Sequence, residues 1–370
     1  SAASDVYKRQ SENGAPMPAA TTAIVHKADL DQGKAAIDFG TIEYAEPGTY
    51  VYKVSEKNAG QTIDGITYSG NVAEITVTVT PNKKGELSAD VQVTSGETEF
   101  KNIYAASPVD SSVTDQIKAT KSLTGRDLEA DEFSFELHEV KGEGSERIET
   151  VKNDANGNVA FSPIEYTEIG QHTYTLREVR GNVGGITYDA ATYTIETVVK
   201  DNGDGALSVE HKLQNADEAI FENTYTVAPK SSSVTDQITA TKFLTGRDLK
   251  EGEFSFELVE GEGEDAEVVA TGTNNAEGNI TMNAVKYTEA GKHTYTLREV
   301  NGGTTSKGIT YGDAKYTIET TITDKGDGTL KAEHVLKDAT AATFKNTYSV
   351  TPLDACLLYT SPSPRDRSLS

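Results

Sequence analysis

The chain repeats itself with a period as long as a domain. The segment SSVTDQIKATKSLTGRDL, from Ser111 to Leu128, returns as SSVTDQITATKFLTGRDL from Ser232 to Leu249. EFSFEL starts at Glu132 and again at Glu253, HTYTLREV at His172 and His293, and YTIET at Tyr193 and Tyr316. Two motifs occur three times: GITY at Gly65, Gly185 and Gly308, and F-x-N-x-Y at Phe100, Phe221 and Phe344. Lys121 and Lys242 stand 121 residues apart, as do Glu178 and Glu299, whereas Asn223 and Asn346 stand 123 apart. A unit of that length can bury a core of its own, so the pattern predicts beads on a string.

Within each unit the apolar residues alternate with polar ones, as in TYTIETVV and HTYTLREV, and NG, DG and GG pairs separate the runs. That is the period of a strand, and Thr and Tyr favour strands. No stretch carries a helical period. The expectation is an all-β fold of tandem Ig-like β-sandwich modules. Short Ser/Pro segments, SPVDSS at Ser107–Ser112 and PKSSS at Pro229–Ser233, mark the joints. They divide the chain into an incomplete first repeat at 11–105 and complete repeats at 106–228 and 229–350. The first repeat keeps YVYKVSE (Tyr50–Glu56) and FKNIY (Phe100–Tyr104) but has lost its lysine strand.

The two ends read differently. SAASDVYKRQ at 1–10 and CLLYTSPSPRD at 356–366 look like translated sequencing adapters. SDVYKRQ back-translates as TCA-GAT-GTG-TAT-AAG-AGA-CAG. CLLYTS back-translates as TGT-CTC-TTA-TAC-ACA-TCT, the reverse complement of most of the first. Residues 351–370 are therefore read as a short tail plus adapter, and the gene as cut at both ends. The sole cysteine, Cys356, falls in that tail and says nothing of redox compartment. Segments of this kind are set aside before fold is argued.

Charge excludes some partners. With 58 acidic and 34 basic residues, the net charge of −24 repels nucleic acid and anionic membranes. No apolar run is long enough to span a bilayer.

Side chains at i, i+2 and i+4 of a strand share a face. Ile117, Ala119, Lys121 and Leu123 therefore point one way, an apolar face interrupted by one lysine. Tyr174, Leu176 and Glu178 share a second face, and Ala219, Phe221, Asn223 and Tyr225 a third. The next repeat does the same with Ile238, Ala240, Lys242 and Leu244, with Tyr295, Leu297 and Glu299, and with Phe344, Asn346 and Tyr348. Burying an unpaired charge costs several kcal/mol, and neutralising it is the usual escape. A neutral buried amine is a nucleophile. A protonated buried carboxylic acid can polarise an amide and shuttle protons, and an adjacent Asn supplies the carbonyl carbon. Such a set can form a Lys–Asn amide and release ammonia. Taken singly, each residue has an ordinary explanation: a snorkelling lysine, a surface ion pair, a turn asparagine. Their joint recurrence favours the chemical reading.

At these residues the chain resembles the streptococcal pilin isopeptide-linkage repeat, a relative of collagen-adhesin B-type repeats. The shared pattern is T-K-x-L at Thr120–Leu123, F-x-F at Phe133–Phe135, Y-x-L-x-E at Tyr174–Glu178 and F-x-N-T at Phe221–Thr224. It recurs at Thr241–Leu244, Phe254–Phe256, Tyr295–Glu299 and Phe344–Thr347. The resemblance implies cross-links Lys121–Asn223 and Lys242–Asn346, with Glu178 and Glu299 as proton shuttles. Glu56 and Asn102 are the counterparts in the first repeat, which leaves Asn102 without a cross-link partner in the fragment. It also implies a structural stalk or pilus shaft, extracellular and attached to a Gram-positive cell wall, with neighbouring modules as partners. Sortase and a host surface ligand would act through missing regions. The rival reading is an adhesin module that binds a host protein or glycan. Neither reading involves a cofactor, a metal or multi-turnover catalysis.

Two weaker signals remain. Asp201–Gly205 (DNGDG) and Asp324–Gly328 (DKGDG) hint at calcium loops but lack the spaced carboxylates such loops need, so they are read as hairpin turns. The six histidines show no metal spacing.

Overall fold

The computed structural model describes residues 4–11, 14–214, 216–261 and 266–351. They form β-strands and short connections, with three-residue 3₁₀ turns as the helical elements among them. The second adapter-like segment, with Cys356, lies outside the described residues. The chain divides into two compact units. One comprises 1–122, 128–180 and 189–222, and the other 123–127, 181–188 and 223–370.

The third repeat lies wholly in the second unit and shows the module plan. One sheet runs in the order Ile280–Met282, Glu267–Asn274, Ser255–Glu260, Gly291–Glu299, Lys315–Asp324, Leu330–Leu336. The other runs Ala240–Thr245, Ala342–Tyr348, Ile309–Thr310, Thr305–Ser306. Alternation sets what each strand buries: along Ala342–Tyr348, Ala342, Phe344 and Asn346 face in. Phe254, Phe256, Leu258, Tyr295, Leu297, Ile318 and Phe344 fill the space between the sheets. The strand that opens the four-stranded sheet and the one that closes the module are parallel neighbours, with Lys242 opposite Phe344 and Leu244 opposite Asn346.

In the first unit five strands of that six-stranded sheet recur in the same order as Gly144–Lys152, Ser134–Lys141, Gly170–Glu178, Thr192–Asp201, Leu207–Leu213. The incomplete repeat contributes the order Thr22–His26, Ser4–Ser11, Gly48–Glu56, Val72–Pro81, Leu87–Ser95. Ser4–Ser11, within the adapter-like opening, is thus a central strand by its backbone ladder, with Asp5 opposite Val25 and Arg9 opposite Val54. The first repeat is the less enclosed. Leu87–Ser95 is exposed along its length, whereas its counterpart Leu207–Leu213 buries Leu207, His211 and Leu213.

The repeated SSVTDQ motif builds the turn that leads into the lysine strand. Ser233 is an N-cap: its side chain accepts from Thr235 N at 3.3 Å, and Asp236 Oδ2 accepts from Ser233 N at 3.2 Å. That reciprocal box satisfies donors a short helix leaves open. The Ser233 hydroxyl also donates to Met282 O at 2.8 Å, tying the turn to the sheet. A buried histidine completes the tie. His334 bridges Ser232 Oγ and Thr320 Oγ1, both at 2.8 Å, and His211 bridges Ser111 Oγ and Thr197 Oγ1 at 2.9 and 2.8 Å.

Burial pushes both imidazoles below their ordinary value of 6.5, with Asp115 and Asp236 pulling weakly the other way. A base whose folded-state pKa is depressed stabilises the fold above its unfolded value, and that contribution is lost as pH falls below it. The thermal midpoint should therefore drop as pH falls from about 6.5 toward 5. A His211→Asn/His334→Asn variant should lose less of its midpoint over that interval. Calorimetry across this range checks it; parallel pH profiles for the two proteins would rule the histidines out as the cause.

Candidate functional site

The third repeat brings its three chemistry-bearing residues together inside the core. Lys242 reaches in from the opening strand, Asn346 from its parallel neighbour, and Glu299 from the facing sheet, where it stands opposite Phe256. Their relative exposures are 1%, 2% and 4%. The Lys242 ammonium donates to Glu299 Oε2 at 2.8 Å, and Asn346 Nδ2 donates to Glu299 Oε1 at 2.8 Å. One carboxylate thus holds the amine on one oxygen and the amide nitrogen on the other.

Aromatic rings close the site off. Phe254 lies 4.5 Å from Lys242 Nζ, and Phe344 packs between Phe256 and Tyr316 at ring separations of 5.0 and 5.2 Å. This F-x-F strand gives the lysine an apolar wall and excludes the water that would hydrate an ammonium. Burial therefore lowers the Lys242 pKa from its usual range, with the Glu299 hydrogen bond opposing it. A fourth participant is a main-chain group. The main-chain N–H of Gly312 donates to Asn346 Oδ1 at 2.9 Å, on the carbonyl oxygen of the same amide. Gly312 follows the GITY motif directly, so the recurring motif was visible but the donor, being backbone, was not.

In the second repeat the first unit contains Lys121 and Glu178. Lys121 Nζ donates to Glu178 Oε2 at 3.2 Å and to Phe221 O at 3.3 Å, with Phe133 at 4.7 Å. Desolvation lowers the Lys121 pKa, and the Glu178 charge opposes it. Asn223 is buried in the other unit, beyond the boundary that falls after Glu222. In the first repeat Asn102 Nδ2 donates to buried Glu56 at 3.0 Å, and Ser69 N donates to Asn102 Oδ1 at 2.8 Å. The acid–amide pair and its backbone donor are thus retained there. Asp201–Gly205 connects two antiparallel strands, as does Asp324–Gly328.

A buried Lys–Glu–Asn set in a two-sheet module defines the class: a β-sandwich domain of the isopeptide type. The model of the FctA family, described as a Spy0128-like isopeptide containing domain, matches residues 5–105, 117–226 and 238–349. The chain belongs to this family, as three tandem copies.

Among solved structures, the chain is similar to the major pilin protein T-13 of Streptococcus pyogenes, at 19% identity over 66% of this chain and 100% of that one, TM-score 0.24. It is similar to the T3.2 major pilin of the same species at 17% identity, over 63% and 96%, TM-score 0.22. It is also similar to the Bacillus anthracis TIE protein at 11% identity, over 94% and 52%, TM-score 0.19. No curated protein matches.

The ion pair is itself testable. Removing one partner of a buried pair leaves an uncompensated charge and costs roughly 3–5 kcal/mol, whereas replacing both by apolar groups of similar size is often neutral. Glu299→Gln should therefore destabilise the third module more than Lys242→Met/Glu299→Met does. Hydrogen exchange at the amides of Gly291–Glu299 reads this out; equal protection in both variants would show that Lys242 needs no counter-charge.

Proposed function

We propose that this chain is a segment of a pilus shaft or surface stalk on a Gram-positive bacterium, and that its complete modules lock themselves with Lys242–Asn346 and Lys121–Asn223 amide bonds. The observation that carries the reading is the single carboxylate of Glu299 bridging the amine and the amide in a dry core. Family membership and the likeness to major pilins support the structural role.

The chemistry balances within the module. Glu299 takes a proton from the Lys242 ammonium, which the desolvated site already disfavours. The free amine attacks Asn346 Cγ, and charge develops on Oδ1 where the Gly312 N–H already points. Glu299 delivers that proton to Nδ2, its existing hydrogen-bond partner, so that ammonia leaves, and it takes a second proton from the lysine nitrogen as the new amide forms. A C–N bond forms and a C–N bond breaks, with no oxidant and no cofactor. Proximity replaces a separate enzyme, and each module reacts once. Glu178 has the same role in the second repeat by equivalence; Glu56 is its positional counterpart in the first, whose sequence carries no counterpart of the lysine motif.

Two tests follow from this chemistry. Each bond removes one ammonia, about 17 Da, so the chain should weigh about 34 Da less than its sequence mass. Glu178→Ala and Glu299→Ala should each restore about 17 Da. An unmodified wild-type mass sinks the proposal, and a Glu variant that still loses ammonia at the normal rate removes its catalytic role.

The second test is mechanical. The opening and closing strands are parallel neighbours, so a pull on the module's two ends shears their ladder, and a Lys242–Asn346 bond would clamp it. Without the bond, the residues from 242 to 346 can extend by about 350 Å at roughly 3.4 Å each. In single-molecule pulling, Lys121→Ala and Lys242→Ala should each add one such extension that wild type lacks. Wild-type modules that unravel to full length would end the stalk reading.

A further inference from the structure

Each module's closing tyrosine meets the hairpin turn of the module after it, and it does so the same way twice. Within the first unit, Tyr104 OH donates to Asp201 Oδ1 at 2.6 Å, and Ser107 N donates to Gly205 O at 2.9 Å. Within the second, Tyr225 OH donates to Asp324 Oδ1 at 2.6 Å, Gly328 N donates to the Tyr225 hydroxyl at 3.1 Å, and Ala228 N donates to Gly328 O at 2.8 Å. Both contacts include one parallel bridge, Ser107 with Ala206 and Ala228 with Thr329. The D-x-G-D-G turns, read from sequence as plain hairpin turns, are also receptors.

Glycine is required on both sides. A Cβ on Gly65 would lie 2.6 Å from Gly205 Cα, and one on Gly185 2.7 Å from Gly328 Cα; all four glycines have positive φ. No side chain fits between two main chains at that distance. The Asp201 hydrogen bond pushes the Tyr104 phenol above its usual range, and burial followed by the Asp324 bond does the same for Tyr225.

The donor half of this joint is built a third time. Ser349 N donates to Gly308 O at 2.8 Å, as Thr226 N does to Gly185 O and Ala105 N to Gly65 O, both at 2.9 Å. Arg247 lies 4.7 Å over the Tyr348 ring, as Arg126 lies 4.9 Å over Tyr225. A Cβ on Gly308 would meet Ser349 O and the Tyr348 ring. The linker spacing also recurs: Tyr104 and Pro108, Tyr225 and Pro229, Tyr348 and Pro352. The receptor half does not recur in the first module, where Pro81 stands in place of Asp201 and Asp324. A proline ring offers no acceptor to a phenol.

We propose that Tyr348, with Gly308 beside it, is a preformed docking surface for the D-x-G-D-G turn of a following module of this same kind. The joint is directional: closing tyrosine of one module, aspartate turn of the next. Two joints of the same chemistry within this chain identify the occupant, and the proposal does not depend on whether Lys and Asn become linked.

The test extends the full chain. A second copy of 229–351 is joined after Thr351, which restores the Tyr-x-x-x-Pro spacing. The Thr351 N–H, counterpart of Ser107 and Ala228, should then exchange at least about tenfold more slowly, because it gains a carbonyl partner. The Tyr348 ring Cζ resonance, assigned with Tyr348→Phe, should move toward that of Tyr225. Asp324→Asn in the added copy alone keeps the turn's shape and should reverse the tyrosine shift. Gly328→Val in the added copy alone should abolish the Thr351 protection. An extended chain with neither change, or one whose changes survive both variants, overturns the proposal.

Discussion

The second and third modules are arranged around an ammonium that has no access to water. Lys242 is 1% exposed and sits against a phenylalanine ring. Left alone, such a charge would cost more than a domain of this size can spare. The fold answers with a carboxylate from the facing sheet, and that choice fixes much else. The carboxylate must arrive on an inward register, so Glu299 occupies the same face as Tyr295 and Leu297. Its second oxygen then needs a donor, which Asn346 supplies. The Asn carbonyl needs a donor in turn, and Gly312 supplies that. Each polar group is satisfied by the next, which is the condition under which a buried network is tolerable.

The same chain of satisfactions explains the first repeat. There Asn102 still donates to Glu56 and still accepts from Ser69. The amide and its backbone donor are held by the GITY loop and the closing strand, both of which this repeat keeps. Removing a lysine strand from the plan therefore need not dismantle the rest. The amide end and the amine end of the site are separable pieces of structure, and the proposed bond would need both.

Much of this was legible in the sequence because period-2 alternation assigns a face to every strand residue. Lys121, Glu178 and Asn223, and Lys242, Glu299 and Asn346, all fell on inward registers and all are buried. What stayed hidden was of another kind. The Gly312 donor is a main-chain group and leaves no residue signature. His211 and His334 look like ordinary strand residues, and only the packed structure shows each one joining a capping turn to the sheet. The aspartates of the DNGDG and DKGDG turns were read as local turn formers, which they are. Asp201 accepts from Gly203 N at 2.7 Å as well as from Tyr104. A residue that satisfies a local rule gives no sequence hint of a second, long-range partner.

Under the proposed cross-links, these features would divide the labour of resisting extension. A Lys–Asn bond would protect what lies between its two residues and would leave the chain from Asn223 to Lys242 outside that protection. That stretch carries non-covalent devices of its own. Tyr225 is held by Asp324 and Gly328, Ala228 by Gly328, Ser232 by His334, and Ser233 by Met282 and its own capping box. None of these bonds alone is worth more than a few kcal/mol. Because they attach successive residues to a core that the covalent bond would keep intact, each must be broken before the next is loaded. The segment that the proposed cross-links would not bypass is thus tied to its surroundings by several hydrogen bonds of its own.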